Sequence, residues 1–301
     1  MTKQEEIKQL KAEQDAVILA HYYVDPQVQE LADYIGDSFY LRKVAAGLEN
    51  RTLVFCGVSF MGESGKLLSP DKVVLIPDAQ ADCPMAHMVT KEEVEQYRKE
   101  YPGLAVVCYI NSTAEIKSWS DVCVTSANAV QIVRNLPNQD ILFIPDKNLG
   151  RYVDSQVPEK HVMLVKGCCP VHDQMSPKEV SGLKKIHPNA LVLAHPECNA
   201  QVLELADYIG STTGILKYAA GSTSREFIIC TEIGVRHELE QQNPDKQFYF
   251  PDTEPICRDM KKITLDKIIH VLRTGQNQAF VPEAYVPSAG RALEQMLKLA
   301  R

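Results

Sequence analysis

The sequence predicts an α/β protein made of three copies of one unit, each a doubly wound parallel sheet covered by helices. The segment QVQELADYIG at 27–36 returns as QVLELADYIG at 201–210, with nine of ten positions identical. A more diverged copy, WSDVCVTSAN, lies between them at 119–128. The aspartates of the three copies recur at intervals of 88 and 86 residues: Asp33, Asp121 and Asp207. Internal repeats predict stacked structural units, so we expect three αβα domains around a pseudo-threefold axis with a central active site.

Matched apolar runs supply the strands of the units. The first strand of each unit is read from AVILAHYYVD, LAVVCYINST and ALVLAHPECN, continuous apolar runs that end in polar residues. Three later runs, LVFCGV from 53, ILFIPD from 141 and FIICTE from 227, repeat the intervals of 88 and 86. Strands that alternate with helices predict parallel sheets. The expected units are 1–84, 85–170 and 171–258, followed by a helical segment, 259–301, that packs back on the body.

Composition limits the function classes. A chain of 301 residues with 45% hydrophobic residues can bury a sizeable core. A formal net charge of −7 without a Lys/Arg cluster argues against nucleic acid as a partner. No apolar run is long enough for a membrane span, and MTKQEEIKQLKAEQD reads as a charged amphipathic helix rather than a signal peptide. We therefore expect a cytoplasmic protein with reduced thiols, whose anionic ligands need local positive groups.

Three of the nine cysteines follow the repeat. Cys83, Cys169 and Cys257 lie at intervals of 86 and 88, each a few residues beyond the last predicted strand of its unit. A threefold arrangement would bring these loops to one point, where three thiolates favour an iron-sulfur cluster with one open iron, because structural zinc usually takes four protein ligands. The alternative is that they are merely loop cysteines of a repeated domain.

The other six cysteines break this register. Four lie inside apolar runs, where buried cysteine packs as a small hydrophobe: Cys56, Cys108, Cys123 and Cys230. Cys168 and Cys198 lie next to candidate site residues, and for them we favour packing over function.

Polar residues recur at the predicted strand ends and helix starts. The strand-end set comprises His21, Tyr109 and His195, with Tyr23, Asn111 and Glu197 two residues later on the same face. The helix-start set is Ser38, Ser126 and Thr212. The two histidines and Glu197 are expected to orient a dicarboxylate and move protons, the tyrosines to donate protons or contact hydroxyls, and Asn111 to bind a carboxylate. The Ser/Thr residues are expected to cap helices whose N-termini attract anions. The alternative to a catalytic role for the strand-end residues is a structural one, in hydrogen bonding or core packing.

Many short motifs, in order, make the chain resemble the quinolinate synthase (NadA) family from about residue 15 to 265. They are ILAHYY, ADYIGDS, ADCPMA, CYINST, TSANAV, CCPVH, AHPEC, ADYIGST, TEIG and CRDMKK. The resemblance implies three doubly wound domains around a pseudo-threefold axis and a 4Fe-4S cluster on Cys83, Cys169 and Cys257. It also implies condensation of iminoaspartate with dihydroxyacetone phosphate to quinolinate, with an L-aspartate oxidase or an aspartate dehydrogenase as candidate supplier of iminoaspartate. Arg258 departs from the pattern, because proline follows the other two cysteines.

The residues leave two other functions open. An electron-transfer or redox-sensing protein would also carry a three-cysteine cluster, and a zinc-stabilised binding scaffold would use the same thiols. An electron carrier needs few polar groups facing its metal. The nine matched polar residues therefore favour an enzyme.

Overall fold

The computed structural model describes residues 2–253 and 255–300, so Met1 and Arg301, the ends of the first and last predicted segments, lie outside it. Within these ranges, twelve strands form three parallel sheets of four, flanked by helices. The three sheets share one topology, in which the first strand of a unit lies between the second and third. The predicted α/β fold of three repeated sheet units is confirmed.

The first unit is built on strands whose central members are fully buried, as their continuous apolar sequences require. Its strands are β1 Ala16–His21, β2 Tyr34–Gly36, β3 Thr52–Cys56 and β4 Val73–Leu75, in the order β2-β1-β3-β4. Its helices are α1 Lys3–Glu13, α2 Pro26–Gln29, α3 Ser38–Gly47 and α4 Ser59–Leu68, followed by a 3-10 helix at Pro84–His87.

The second unit repeats this order. Its strands are β5 Ala105–Tyr109, β6 Val122–Val124, β7 Asp140–Ile144 and β8 His161–Leu164, in the order β6-β5-β7-β8. Its helices are α5 Lys91–Glu100, α6 Ala114–Ser118, α7 Ala129–Asn135, α8 Lys147–Gln156 and the short α9 Pro170–Asp173.

The third unit has the same sheet and two apolar layers, one on each face. Its strands are β9 Leu191–Ala194, β10 Tyr208–Ile209, β11 Glu226–Cys230 and β12 Gln247–Tyr249, in the order β10-β9-β11-β12. Its helices are α10 Pro177–Ile186, α11 Ala200–Leu203, α12 Thr212–Gly221 and α13 Arg236–Gln242, with 3-10 helices at Ile233–Val235 and Met260–Lys262.

The last two helices pack on the first two units. Helix α14, Leu265–Thr274, contacts α1 and joins the core of unit one, whereas α15, Val286–Leu299, contributes Leu293 and Met296 to the core of unit two. In the described part of the chain, no helix is long and apolar enough to cross a bilayer. The exact unit boundaries stay a prediction.

Unit three also lies directly against unit one. A Cβ on Gly234 would lie 2.6 Å from the Tyr22 carbonyl oxygen, so the backbones approach too closely for a side chain. The Gln29 side-chain amide spans the contact, donating to the carbonyls of Tyr22 at 2.8 Å and Gly234 at 3.1 Å. This contact fixes the polar ends of β1 and β11 next to each other.

Candidate active site

One pocket is lined by all nine polar residues that the repeat singled out. Each unit contributes three: His21, Tyr23 and Ser38; Tyr109, Asn111 and Ser126; His195, Glu197 and Thr212. The pocket lies where the carboxyl ends of β1, β5 and β9 meet, which is the edge at which parallel sheets bind ligands. The structure thus brings together residues that lie far apart in the sequence.

The helix-start residues do not cap their helices, which corrects the sequence prediction. Asp37 is the N-cap of α3 and Ser211 is the N-cap of α12, each accepting a backbone N–H of the first turn. Ser38 and Thr212 are instead the first helical residues. Because capping falls to the preceding residue, their hydroxyls are left to the pocket.

Ser126 departs further from the prediction. Helix α7 begins at Ala129 with Asn128 as its N-cap, so Ser126 lies before the helix. Its hydroxyl lies 3.2 Å from Nε2 of His195, in the neighbouring unit. Ser126 therefore links units two and three at the pocket.

The two strand-end histidines repeat one local geometry. Nδ1 of His21 accepts the Tyr23 N–H at 3.2 Å, and Nδ1 of His195 accepts the Glu197 N–H at 3.3 Å. Burial lowers the pKa of His21 to about 4 and that of His195 to about 3. Both rings are therefore neutral near pH 7, and the bonds at Nδ1 assign the proton to Nε2.

Glu197 is a buried carboxyl between two imidazoles. Its Oε2 lies 3.1 Å from Nδ1 of His195 and 3.4 Å from Nδ1 of His172. Burial raises the pKa of Glu197, and the nearby His172 opposes this. A carboxyl in such a setting is suited to holding and transferring a proton.

The two tyrosines are proton donors, of which Tyr109 is buried and Tyr23 half-buried. The Tyr23 hydroxyl lies 2.8 Å from Oγ1 of both Thr212 and Thr231. Burial raises the pKa of Tyr23 and of Tyr109 well above the ordinary value. Each phenol therefore keeps its proton near neutral pH.

The three in-register cysteines line one cavity beside the polar pocket. Cys83, Cys169 and Cys257 share its wall with five pocket residues: His21, Tyr23, Ser38, Asn111 and Glu197. The cavity and the polar pocket therefore form a continuous site. The loops meet as the threefold repeat predicted.

The surroundings of the sulfurs are repeated as well. A backbone N–H three residues after each cysteine bonds the thiol and favours its thiolate form: those of Ala86, His172 and Met260. Burial raises the pKa of all three thiols. The charge of Cys257 further raises the pKa of Cys83, and that of Cys83 raises the pKa of Cys169. Three thiolates this close would repel one another, so a bound cation fits the cavity.

A second donor set overlaps the first. Cys169, His172 and Glu197 place ligand atoms within 4.8 Å of one another. Nδ1 of His172 lies 3.2 Å from the Cys169 sulfur, and its Nε2 lies 3.0 Å from Oγ1 of Thr231. The two donor sets compete for the Cys169 thiol, and the hydrogen bonds account for the position of His172.

The remaining cysteines lie outside the cavity wall. The four in apolar runs are fully buried in strands, which confirms their packing role: Cys56, Cys108, Cys123 and Cys230. Cys198 is fully buried as well, with its sulfur 3.3 Å from the Cys230 carbonyl oxygen, and Cys168 is half-buried. All nine cysteines are free thiols.

The comparison with protein families decides the family of the chain. A family model named NadA, described as "Quinolinate synthetase A protein", matches residues 5–298. The chain belongs to the quinolinate synthetase A family.

Close relatives agree with this assignment. A quinolinate synthase of Fusobacterium nucleatum is 51% identical over 294 residues, which covers 98% of both chains. A quinolinate synthase of Clostridioides difficile is 47% identical over 295 residues, 98% of this chain and 97% of the relative. One of Caldicellulosiruptor bescii is 50% identical over 294 residues with the same coverage. The resemblance read from the motifs is therefore confirmed.

Sequence reasoning missed His172 in this quinolinate synthetase A chain. The histidine is buried between Glu197 and Cys169, yet the repeat does not reveal it, because Ala86 and Met260 stand at its register positions. The signal that could have found it is its position three residues after Cys169.

Two buried carboxylates, Asp146 and Glu232, make structural contacts that the sequence did not reveal. Asp146 and Glu232 follow β7 and β11 at positions that match in the repeat. Asp146 is the N-cap of α8, and Glu232 is the N-cap of the 3-10 helix that follows it. Burial raises the pKa of Asp146 to about 8 and that of Glu232 to about 6.

Proposed function

We propose that this chain is a quinolinate synthase that condenses iminoaspartate with dihydroxyacetone phosphate and releases quinolinate, phosphate and water. The observation that carries the proposal is the continuous site in which nine polar residues from three units adjoin three in-register cysteines. Relatives named quinolinate synthase that match almost the whole chain support it. A simple electron carrier would not need this polar wall.

The residues fit a 4Fe-4S cluster held by Cys83, Cys169 and Cys257. Their sulfurs share one cavity, each has a backbone N–H donor, and their mutual repulsion calls for a cation. Three protein ligands are also what a cluster with one open iron requires. When bound, such a cluster supplies a Lewis acid toward a hydroxyl or carboxylate that leaves.

The substrates carry carboxylates and a phosphate, and the pocket offers donors for them. Ser38 and Thr212 are the first residues of α3 and α12, so their backbone N–H groups have no partner within the helix. The Nε2–H groups of His21 and His195 add neutral donors to the same pocket. These groups bind anions although the protein has a net charge of −7.

Proton transfer falls to Glu197 and the two tyrosines. Ring closure requires loss of water and movement of protons between carbon, nitrogen and oxygen. Glu197, whose pKa is raised by burial, can accept and donate a proton, and the phenols of Tyr23 and Tyr109 can protonate a leaving hydroxyl. Oδ1 of Asn111 is buried with no hydrogen-bond partner among the described residues, so it can accept an N–H or O–H of a substrate.

A turnover assay tests the proposal. Protein reconstituted anaerobically with iron and sulfide is mixed with dihydroxyacetone phosphate, oxaloacetate and ammonia, because the last two form iminoaspartate. Quinolinate is then measured by mass spectrometry. With triose labelled at every carbon by carbon-13, the product should carry three labelled carbons. If iron-loaded protein forms no quinolinate from these substrates, the proposed function is wrong.

A further inference from the structure

Each in-register cysteine is held by a carboxylate through its backbone N–H. Cys169 N–H donates to Oδ2 of Asp146 at 2.9 Å, and Cys257 N–H donates to Oε1 of Glu232 at 3.1 Å. In unit one, Cys83 N–H donates to Oδ1 of Asp82 at 2.8 Å. The thiols face the cavity from loops, so a hydrogen bond to the cysteine backbone N–H fixes each loop at the cysteine itself.

In units two and three, the two oxygens of the carboxylate have separate partners. Oδ1 of Asp146 accepts the N–H groups of Asn148 and Leu149 at 2.8 Å, which caps α8, and Oδ2 is left for Cys169. Oε2 of Glu232 likewise accepts the Gly234 N–H, while Oε1 takes that of Cys257. An ordinary N-cap uses only the first of these bonds.

Both carboxylates are fully buried, a costly location for a group that can carry charge. Glu232 is further held by Lys261, whose Nζ lies 3.3 Å from Oε1 and donates to the Tyr23 carbonyl at 2.7 Å. The Cys257 loop is thereby tied to the strand-end residues of unit one. Exposed Ser, Asp or Asn residues would suffice for capping alone.

In unit one, a carboxylate from a different position accepts the backbone N–H of the cysteine. The register position of Asp146 and Glu232 is Val58, which has no carboxylate. Asp82 takes over from the residue before the cysteine, and Ser59, just past the end of β3, donates to its Oδ1 at 2.6 Å. In unit one the carboxylate thus comes from Asp82 instead of the position of Val58. Through Ser59 and Asp82, the end of β3 is still connected to Cys83.

The geometry points to Asp146 and Glu232, with Asp82 as their counterpart, as positioning residues that hold the three cysteine loops at the distance needed for a shared metal centre. This inference rests on the proposed function for the identity of that centre. It goes beyond it by assigning a role to three carboxylates that accept the backbone N–H groups of the cysteines.

Asp146→Asn is the most discriminating variant. The amide oxygen can keep both bonds to α8, whereas the amide NH2 then faces the Cys169 N–H and cannot accept it. The matched control is Asp121→Asn in the same unit, because Asp121 accepts the N–H of Val106 at 2.7 Å in a similar bond whose partner lies in β5 and not in a cysteine loop. Glu232→Gln tests Cys257 in the same way.

The first measurement needs no metal. Iron-free full-length protein is treated with iodoacetamide, and alkylation of each cysteine is followed by peptide mass spectrometry. In Asp146→Asn, Cys169 should react about tenfold faster than in the wild type, since the hydrogen bond that holds its backbone N–H is lost. Cys83 and Cys257 should react at the wild-type rate. An equal rise at all three cysteines, or no rise at Cys169, would overturn the inference.

The second measurement uses the reconstituted protein. Iron release to a chelator should be about tenfold faster in Asp146→Asn and in Glu232→Gln than in the wild type and in Asp121→Asn. Equal release from Asp121→Asn would show a general loss of stability and overturn the positioning role. If the wild type binds no iron, the proposed cofactor is wrong, and the alkylation rates alone decide whether the carboxylates hold the loops.

Discussion

Oε2 of Glu197 lies 3.1 Å from Nδ1 of His195, both side chains are buried, and Glu197 lies at the junction of the polar pocket and the cysteine cavity. Burial raises the pKa of the carboxyl and lowers that of the imidazole to about 3. Both shifts favour the uncharged forms of the two side chains. A carboxyl whose pKa is raised can hold a proton and pass it to a substrate.

Glu197→Gln should separate binding from catalysis. The amide keeps the size of the side chain and can still donate to Nδ1 of His195, but it has no proton to transfer. We expect kcat to fall by about 10² to 10⁴, while quinolinate binds with nearly unchanged affinity. Turnover and a binding titration measure the two effects.

Glu204→Gln, an exposed substitution seven residues later, is the control and should retain full turnover. Wild-type turnover in Glu197→Gln would give Glu197 a structural role only.

Asp207 should matter for stability and not for the metal site. Its carboxylate accepts the Val192 N–H at 2.8 Å, and its own N–H donates to the Val192 carbonyl at 2.8 Å. Asp207→Ala would leave a strand N–H without its partner, at a cost of about 1–3 kcal/mol. Urea unfolding should show this loss, whereas iron content after reconstitution should equal that of the wild type. A loss of iron without a loss of stability would contradict this assignment.

Asp33 makes the same two hydrogen bonds to Ile18, one through its carboxylate and one through its backbone N–H. Asp121 makes them to Val106. The repeat located these aspartates, because register depends only on sequence spacing. It could not reveal their role, since the partner lies fifteen residues earlier on a neighbouring strand. That adjacency becomes visible only once the first and second strands of each sheet pair.

The site was predictable where the three units agree and hidden where they differ. His21 and His195 were found because matched positions converge on a threefold axis. His172 was not, since its counterparts are Ala86 and Met260, which contribute only backbone N–H groups to the cysteines. The caps of α3 and α12 were misassigned by one residue because Asp37 and Ser211 are equally good capping residues next to Ser38 and Thr212.

Acid should destabilise the protein through His21. Burial lowers the pKa of His21 from 6.5 to about 4, so the unfolded chain binds this proton at a pH where the folded protein does not. The stability from the neutral ring is complete above pH 6.5 and is lost as pH falls toward 4. In His21→Asn, the side-chain oxygen can still accept the Tyr23 N–H but cannot titrate.

The free energy of unfolding should therefore fall by about 2 kcal/mol more in the wild type than in His21→Asn between pH 7 and pH 5. Urea titrations of the iron-free protein at several pH values measure this difference. Between pH 7 and 8 the two curves should run parallel, which serves as the internal control. Parallel curves down to pH 5 would show that His21 is not kept neutral by burial.

The last prediction concerns the three cysteines that share the cavity. Cys83→Ser, Cys169→Ser and Cys257→Ser should each lose the cluster and quinolinate formation, because a hydroxyl replaces a thiolate poorly as an iron ligand. Iron, sulfide and the visible absorption of anaerobically reconstituted protein measure cluster content. Chelation of iron from the wild type should abolish turnover in the same way.

Three other cysteine variants make the result specific. Cys56→Ala and Cys230→Ala remove thiols that are fully buried in β3 and β11, so they should cost stability but retain wild-type iron content. Cys168→Ala is the sharpest control, because Cys168 adjoins Cys169 in sequence yet is absent from the cavity wall. Full iron loading in one of the three serine variants would remove that cysteine from the ligand set. Loss of iron in Cys168→Ala would move the ligand by one residue and break the register on which the threefold site was predicted.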